Sequence, residues 1–222
     1  AAHARGFRVL RGATLESDRT LPYAPFIAAV RSGFRGIEHD RLGRMLAQTA
    51  PDLAQLFPEL GRALPADASM EQHRLAVAFH GLFTAFAREA PILIVVEDLH
   101  WSDEASLDLL HSLARELRDS RCVLLANYRS DEMHRRHPFL RTLGALQRER
   151  LAAEITLRRL TPDEVGRLIQ ETFSTGPVSD EFRDAVYARC EGNPFFTEEL
   201  LKAMVDTGGI YRTATGWERK PI

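Results

Sequence analysis

The stretch from Pro91 to Asp103 constrains the fold of this chain more than any other. Five apolar residues, Ile-Leu-Ile-Val-Val, lead without interruption into Glu97 and Asp98. A short continuous apolar run rich in β-branched residues is typical of a strand covered on both faces, and such strands belong to parallel sheets flanked by helices. Ligands of these sheets bind at the carboxyl ends of the strands. The sequence therefore predicts a buried parallel strand that ends at a charged site.

The two adjacent carboxylates suit a Walker B site. In such a site one carboxylate holds Mg²⁺, directly or through water, and its neighbour polarises an attacking water. Taken alone, an apolar strand that ends in acids can also be a solvated strand end, and this alternative stays open. In the common Walker B order aspartate precedes glutamate, whereas here Glu97 precedes Asp98. The reversed order leaves open a slow, switch-like ATPase or a protein that binds ATP without hydrolysing it.

The residues that continue this segment carry a family resemblance. The run EDLHWSDEASLDLL, residues 97–110, resembles the Walker B segment of AAA-type ATPase domains in large bacterial LuxR-type transcriptional regulators and in related signalling proteins. These are signal-transducing NTPases of the STAND type. The resemblance covers nearly the whole chain, and it implies an α/β fold of the ASCE class of P-loop NTPases. Such a fold has a parallel sheet flanked by helices, a helical lid that follows it, and a site for ATP and Mg²⁺.

The printed sequence has no P-loop motif. The pattern G-x-x-x-x-G-K-[ST] does not occur, and the only lysines are Lys202 and Lys220. In the family, the P-loop with its strand and helix would lie just upstream of Ala1, so we expect part of a longer protein and a sheet that lacks its first strand. Nothing else in the sequence supplies a row of backbone N–H groups and a lysine at the phosphates. We therefore expect residues 1–222 alone to bind ATP weakly and to be inactive.

A second apolar run also ends in polar residues. Cys122 to Ala126 leads into Asn127 and Arg129. By resemblance this is the sensor 1 region, in which a polar residue and an arginine lie close to the terminal phosphate. An amide can orient water and a guanidinium can pair with phosphate charge, although a solvated strand end remains the alternative. The resemblance thus implies Asp98 as the catalytic base, with Asn127 and Arg129 at the phosphate and Glu97 at the metal.

The remaining periodicities predict the rest of the first domain, residues 1–159. Strands at 7–11, 92–96 and 122–126 should be parallel neighbours, and the alternating segment Glu154–Leu157 should be a fifth, more exposed strand. Short helices are predicted between residues 40 and 65, and a capping box at Ser69 should open a longer helix. That helix carries an apolar stripe that we expect in the core: Leu75, Phe79, Leu82, Phe83 and Phe86.

Beyond residue 159 the pattern is helical, which predicts a lid over residues 160–207. Thr161 with Glu164 forms a second capping box. By resemblance, Gly192, Asn193 and Pro194 match the family's GxP motif, in which the proline packs near the adenine. The same three residues are also an ordinary way to end one helix and begin the next, and both interpretations can hold. Residues 208–222 resemble the start of a winged-helix domain.

Composition and charge limit the alternatives. The net charge of -2 and a pI of about 6.5 provide no global basic field for nucleic acid or anionic lipid. Cys122 and Cys190 lack partner spacing, which indicates a reducing cytoplasm, and no apolar run reaches the roughly 18 residues of a membrane span.

Two competing functions remain. A helix-turn-helix around Gly192 could bind DNA, but its would-be recognition helix begins Phe195-Phe-Thr-Glu-Glu199 and carries one lysine, so its first turns would repel phosphates. A nucleotide-independent protein-interaction module would need no P-loop. The resemblance instead implies other domains of the same chain as partners, namely winged-helix, helical-repeat, DNA-binding or cyclase domains, together with a possible nucleotide-dependent oligomer.

Overall fold

The computed structural model describes residues 2–18, 21–34, 44–46, 48, 51–57, 71–135, 137–213 and 216–220. The chain divides into two compact units, Ala1–Ala153 and Glu154–Ile222. Each unit has an apolar core of its own. The boundaries expected at residues 159 and 207 stay predictions.

Unit 1 is built on a three-stranded parallel sheet. Its strands are β1 (Arg8–Ala13), β2 (Ile92–Glu97) and β3 (Cys122–Ala126), in the order β1-β2-β3. The central strand is β2, and its Ile94 is paired with Leu10 on one side and Leu124 on the other. The prediction that these three segments are parallel neighbours is confirmed.

Among the described residues, four α-helices flank this sheet: α1 (Ala24–Gly33), α2 (Glu71–Glu89), α3 (Glu104–Glu116) and α4 (Pro138–Arg148). The predicted stripe on α2 is core, because its side chains are at most 1% exposed: Leu75, Phe79, Leu82, Phe83 and Phe86. Burying one such side chain stabilises the fold by about 1.5–3 kcal/mol. The predicted cap at Ser69 lies outside the described residues, as do most of residues 40–65.

Glycine at position 12 is required by the close approach of β1 and α1. A Cβ atom built on Gly12 would lie 1.8 Å from the carbonyl oxygen of Pro25, which is backbone and cannot move aside without shifting the helix. A glycine inside a strand commonly marks such a close approach. The contact holds the first turn of α1 against the carboxyl end of β1.

One face of β3 is open to solvent. Side chains alternate between the two faces of a sheet, and Val123 and Leu125, on the same face, are 48% and 50% exposed. In the part of the chain that the structure describes, no strand pairs with the outer edge of β3. Unit 1 therefore presents apolar side chains beside an unpaired strand edge, a combination that promotes association.

The prediction of a fifth strand at Glu154–Leu157 is wrong. Residues 151–160 form neither helix nor strand, and the apolar Ile155 and Leu157 are 80% and 90% exposed. Alternation predicts an extended segment, but a strand also needs a neighbour with free backbone groups in the right register. The segment instead forms the opening of unit 2.

Unit 2 contains three helices followed by a hairpin. The helices are α5 (Pro162–Phe173), α6 (Asp180–Cys190) and α7 (Pro194–Asp206), and the antiparallel hairpin strands are β4 (Ile210–Thr213) and β5 (Gly216–Arg219). Their core includes Val165, Ile169, Val186, Leu201 and Ile210, all at most 4% exposed. The helical C-terminal part is confirmed, and a further domain that begins at residue 208 stays a prediction.

The described helices include none that is both long enough and apolar enough to span a membrane.

Candidate active site at the carboxyl ends of β2 and β3

Asp98 follows β2 directly and has an unusual backbone conformation. Its φ of 57° and ψ of 46° place it in the left-handed region, and the 3-10 helix Leu99–Trp101 begins immediately after it. A residue with a Cβ atom held there costs on the order of 1–3 kcal/mol, and such residues cluster at functional sites. The backbone N–H of Asp98 donates to Oδ1 of Asn127 at 2.8 Å, which helps to hold this conformation.

Asn127 joins the ends of the two strands. Its backbone N–H donates to the carbonyl oxygen of Val96 at 3.1 Å, and its own carbonyl oxygen accepts from the N–H of Leu99 at 3.0 Å. Its side-chain oxygen accepts from Asp98, so the Nδ2 group remains to donate to a ligand. The two predicted polar strand ends therefore do meet.

Arg129 lies beside the same carboxylate. Its Nε atom is 4.0 Å from Oδ1 of Asp98, and its Nη1 atom is 2.8 Å from Oε1 of Glu132. The Arg129 side chain is 64% exposed, and exposed ion pairs contribute only about 0–1 kcal/mol each. The guanidinium can therefore exchange the Asp98 carboxylate for a phosphate at small cost.

Glu97 is the last residue of β2 and is partly exposed. Its carbonyl oxygen accepts from the N–H of Thr14 at 3.0 Å, which fixes the strand end next to β1. The described residues contain no group of three or more His, Cys, Asp or Glu side chains that could hold a metal. Mg²⁺ commonly takes one or two carboxylates and completes its shell with phosphate oxygens and water. Glu97 and Asp98 fit that mode of binding.

The segment after the acids is anchored to the loop between β1 and α1. Asp103 caps α3 by accepting from the N–H groups of Ala105 and Ser106 at 2.9 and 3.2 Å. The buried hydroxyl of Ser106 also accepts from the N–H of Tyr23 at 3.0 Å. These bonds hold the segment that follows Glu97 and Asp98 against the start of α1.

Gly192, Asn193 and Pro194 lie in unit 2, between α6 and α7. Gly192 has a φ of +72°, and its carbonyl oxygen accepts from the N–H of Leu160 at 2.7 Å. Asn193 caps α7 by accepting from the N–H of Phe195 at 3.0 Å, and Pro194 is the first residue of that helix. Ending α6 and starting α7 thus accounts for all three residues.

The first turns of α7 do not suit DNA. Phe195 and Phe196 are 63% and 56% exposed there, and Glu198 and Glu199 are also exposed. A recognition helix needs donors and positive charge towards the phosphates. The surface of α7 therefore gives the helix-turn-helix alternative no support.

Sequence reasoning gave no role to His100, which is only 3% exposed. Its Nδ1 atom accepts from the backbone N–H of Arg129 at 3.4 Å, so it contacts the segment that contains the sensor residues. The sequence does carry a signal for this role: His100 stands between the apolar Leu99 and Trp101, directly after a buried strand. A histidine in such an apolar turn is usually buried with a polar partner.

The sheet and its polar strand ends define a class of protein. Three parallel strands flanked by helices, carboxylates at the end of the central strand and a helical C-terminal part give the α/β fold of P-loop nucleoside triphosphatases. A family model described as an AAA ATPase domain matches residues 1–126, more than half of the chain, and the chain belongs to that family. The match includes Glu97 and Asp98. No curated protein and no solved structure matches the chain.

Proposed function

We propose that this chain supplies the catalytic part of an ATP- and Mg²⁺-dependent ATPase that acts as a conformational switch in a multidomain bacterial transcriptional regulator of the LuxR type. The convergence of acid, amide and arginine supports this most strongly. Asn127 Oδ1 lies 2.8 Å from the N–H of Asp98, and Arg129 Nε lies 4.0 Å from the Asp98 carboxylate. These are the groups that phosphoryl transfer to water requires around a terminal phosphate.

Each residue of this cluster has a role that follows from its chemistry. Glu97 would hold Mg²⁺, which would neutralise charge on the phosphates of ATP. Asp98 accepts a proton from the attacking water. Asn127 donates from Nδ2, because its oxygen is already engaged by Asp98. Arg129 keeps its Nη1 contact with Glu132 and pairs, through its other N–H groups, with the developing charge on the terminal phosphate.

Gly192, Asn193 and Pro194 are proposed to lie near the adenine, in addition to their role in connecting α6 to α7. The aromatic rings of Phe195 and Phe196 are exposed at the same end of α7. An exposed apolar surface beside a helix start suits the flat face of a base. This assignment rests on the family resemblance of the motif.

The phosphates need a further binding element. A triphosphate that approaches Glu97 and Asp98 meets two carboxylates, and at about 4 Å like charges repel by roughly 1–4 kcal/mol, depending on solvent exposure. Arg129 offers one compensating charge. The proposal therefore requires a P-loop, with its lysine and its row of backbone N–H groups, to act together with these residues.

Calorimetric titration with ATP and Mg²⁺ tests the proposal. We expect residues 1–222 to bind ATP weakly or not at all, and a longer version in which a P-loop segment precedes residue 1 to bind it with micromolar affinity. Micromolar binding by residues 1–222 alone would place the phosphate site elsewhere. No binding by either version would favour the nucleotide-independent interaction module.

A further inference from the structure

We propose that His100 and Glu132 are positioning residues that set the arginine of this site, Arg129, for the terminal phosphate. The inference rests on the proposed function and assigns roles to two residues that the Walker B and sensor patterns leave out. His100 belongs to the 3-10 helix Leu99–Trp101 behind Asp98, and Glu132 belongs to the 3-10 helix Ser130–Glu132 behind Arg129. The pair therefore connects the two segments that carry the candidate catalytic groups.

The protonation of the His100 ring follows from its contacts. The side chain is 1% exposed, and its Nδ1 atom faces the backbone N–H of Arg129 at 3.4 Å. A backbone N–H can only donate, so Nδ1 accepts and the ring proton of neutral His100 is on Nε2. The backbone of His100 is fixed as well, because His137 accepts from the N–H of Phe139 through Nδ1 and donates to the carbonyl oxygen of His100 through Nε2, at 3.0 Å.

The Nε2 atom of His100 is a buried donor without a well-formed hydrogen bond. It lies 3.2 Å from Oε2 of Glu132, but no acceptor among the described residues meets it at hydrogen-bonding angles. Burying a polar group without a partner is costly, so a small movement of Glu132 towards His100 is favourable.

Glu132 is shared between two donors. Its Oε1 atom holds Arg129 Nη1 at 2.8 Å, and its Oε2 atom faces His100. Through Nη1, Glu132 therefore fixes the direction of the guanidinium and leaves its remaining N–H groups to a phosphate. A small turn of Glu132 lets the Nε2–H of His100 hold the same carboxylate, and the Nδ1 contact of His100 keeps the backbone of Arg129 in place.

The ring assignment is tested on residues 1–222 by ¹⁵N NMR of the histidine side chains. The His100→Gln variant identifies the His100 signals, because they are absent from its spectrum. We expect these signals to be those of a neutral ring protonated at Nε2. A ring protonated at Nδ1 would overturn the proposal, because that nitrogen could not accept from Arg129. This measurement needs no nucleotide and no activity.

The positioning role is tested in a version that contains a P-loop and hydrolyses ATP. Glu132→Gln should lower kcat by about 10-fold to 100-fold, the range for a displaced catalytic group, with KM for ATP changed by less than about threefold. In an Arg129→Ala background the same substitution should cause no further loss, since it acts through that arginine. His100→Asn, which retains an acceptor near the Nδ1 position, should be less impaired than His100→Ala.

The matched control is Glu149→Gln, which breaks another glutamate–arginine pair, that with Arg115. It should leave kcat unchanged. If Glu132→Gln has wild-type kcat, or if its loss multiplies with that of Arg129→Ala, the positioning proposal fails while the proposed function stands. If Asp98→Asn also retains wild-type turnover, the proposed function itself fails.

Discussion

Replacing Gly192 with alanine should destabilise unit 2 by about 2–3 kcal/mol. A Cβ atom at this position would lie 2.0 Å from the carbonyl oxygen of Leu160, and the φ of +72° is one that alanine adopts only at a cost. The left-handed conformation costs about 1–2 kcal/mol, and disturbing the hydrogen bond between Leu160 and Gly192 costs about 1 kcal/mol more. This loss of stability comes from the backbone at Gly192 and does not depend on any nucleotide.

The assay uses a tryptophan in unit 2. The chain has two tryptophans, and Trp217 packs against Phe173 with ring centroids 5.0 Å apart. In a Trp101→Phe background, guanidinium denaturation followed by Trp217 fluorescence reports the unfolding of unit 2. The matched control is Gly176→Ala, where nothing lies within 4 Å of the new Cβ atom, and we expect a change of at most about 1 kcal/mol there. A Gly192→Ala variant as stable as this control would refute the reasoning.

Three further predictions concern unit 1. Replacing both Val123 and Leu125 with threonine should reduce self-association, measured by sedimentation velocity, because the side chains of Val123 and Leu125 are 48% and 50% exposed. An unchanged size distribution would contradict this expectation. A hydrogen bond from Arg115 lowers the pKa of Glu149 from its ordinary value of 4.5. The pair of Arg115 and Glu149 should therefore stabilise the folded state fully above pH 4.5, and this stabilisation should be lost as the pH falls through the depressed pKa of Glu149. The difference in unfolding free energy between wild type and Glu149→Gln should accordingly narrow in acid. A gap that is constant from pH 6 to about 3 would argue against the ion pair. Burial raises the pKa of Cys122 to about 12, so iodoacetamide at about pH 8 should label this thiol slowly in the folded protein and rapidly after denaturation; rapid labelling of the folded protein would contradict its burial.

The features that the sequence predicted depend on local chemistry or on the geometry of parallel strands. Thr161 and Glu164 form the predicted capping box, with each backbone N–H donating to the other side chain at 2.8 and 3.3 Å. Capping needs only residues three positions apart, so its signal is local. Asp98 and Asn127 lie 29 positions apart, yet their meeting was also predictable, because parallel strands carry their carboxyl ends to one edge of the sheet.

The features that the sequence did not predict depend on long-range partners. Nothing within Glu154–Leu157 indicates whether a strand edge is available to it, and the segment forms no strand. The left-handed backbone of Asp98 is held by the side chain of Asn127, a contact that no local propensity encodes. His100 likewise acquires its role only when Arg129 and Glu132 fold against it.

Hydrolysis of ATP in a single turnover by an Asp98→Asn variant tests the central claim most directly. The variant should be made in a version that carries a P-loop, beside Asp119→Asn, which changes an exposed carboxylate in the turn after α3. A base acts on the chemical step, so we expect hydrolysis by Asp98→Asn to fall by about 100-fold or more while the Kd for ATP stays within about threefold. Asp119→Asn should behave as wild type. Hydrolysis by Asp98→Asn at the wild-type rate would contradict the assignment of this site.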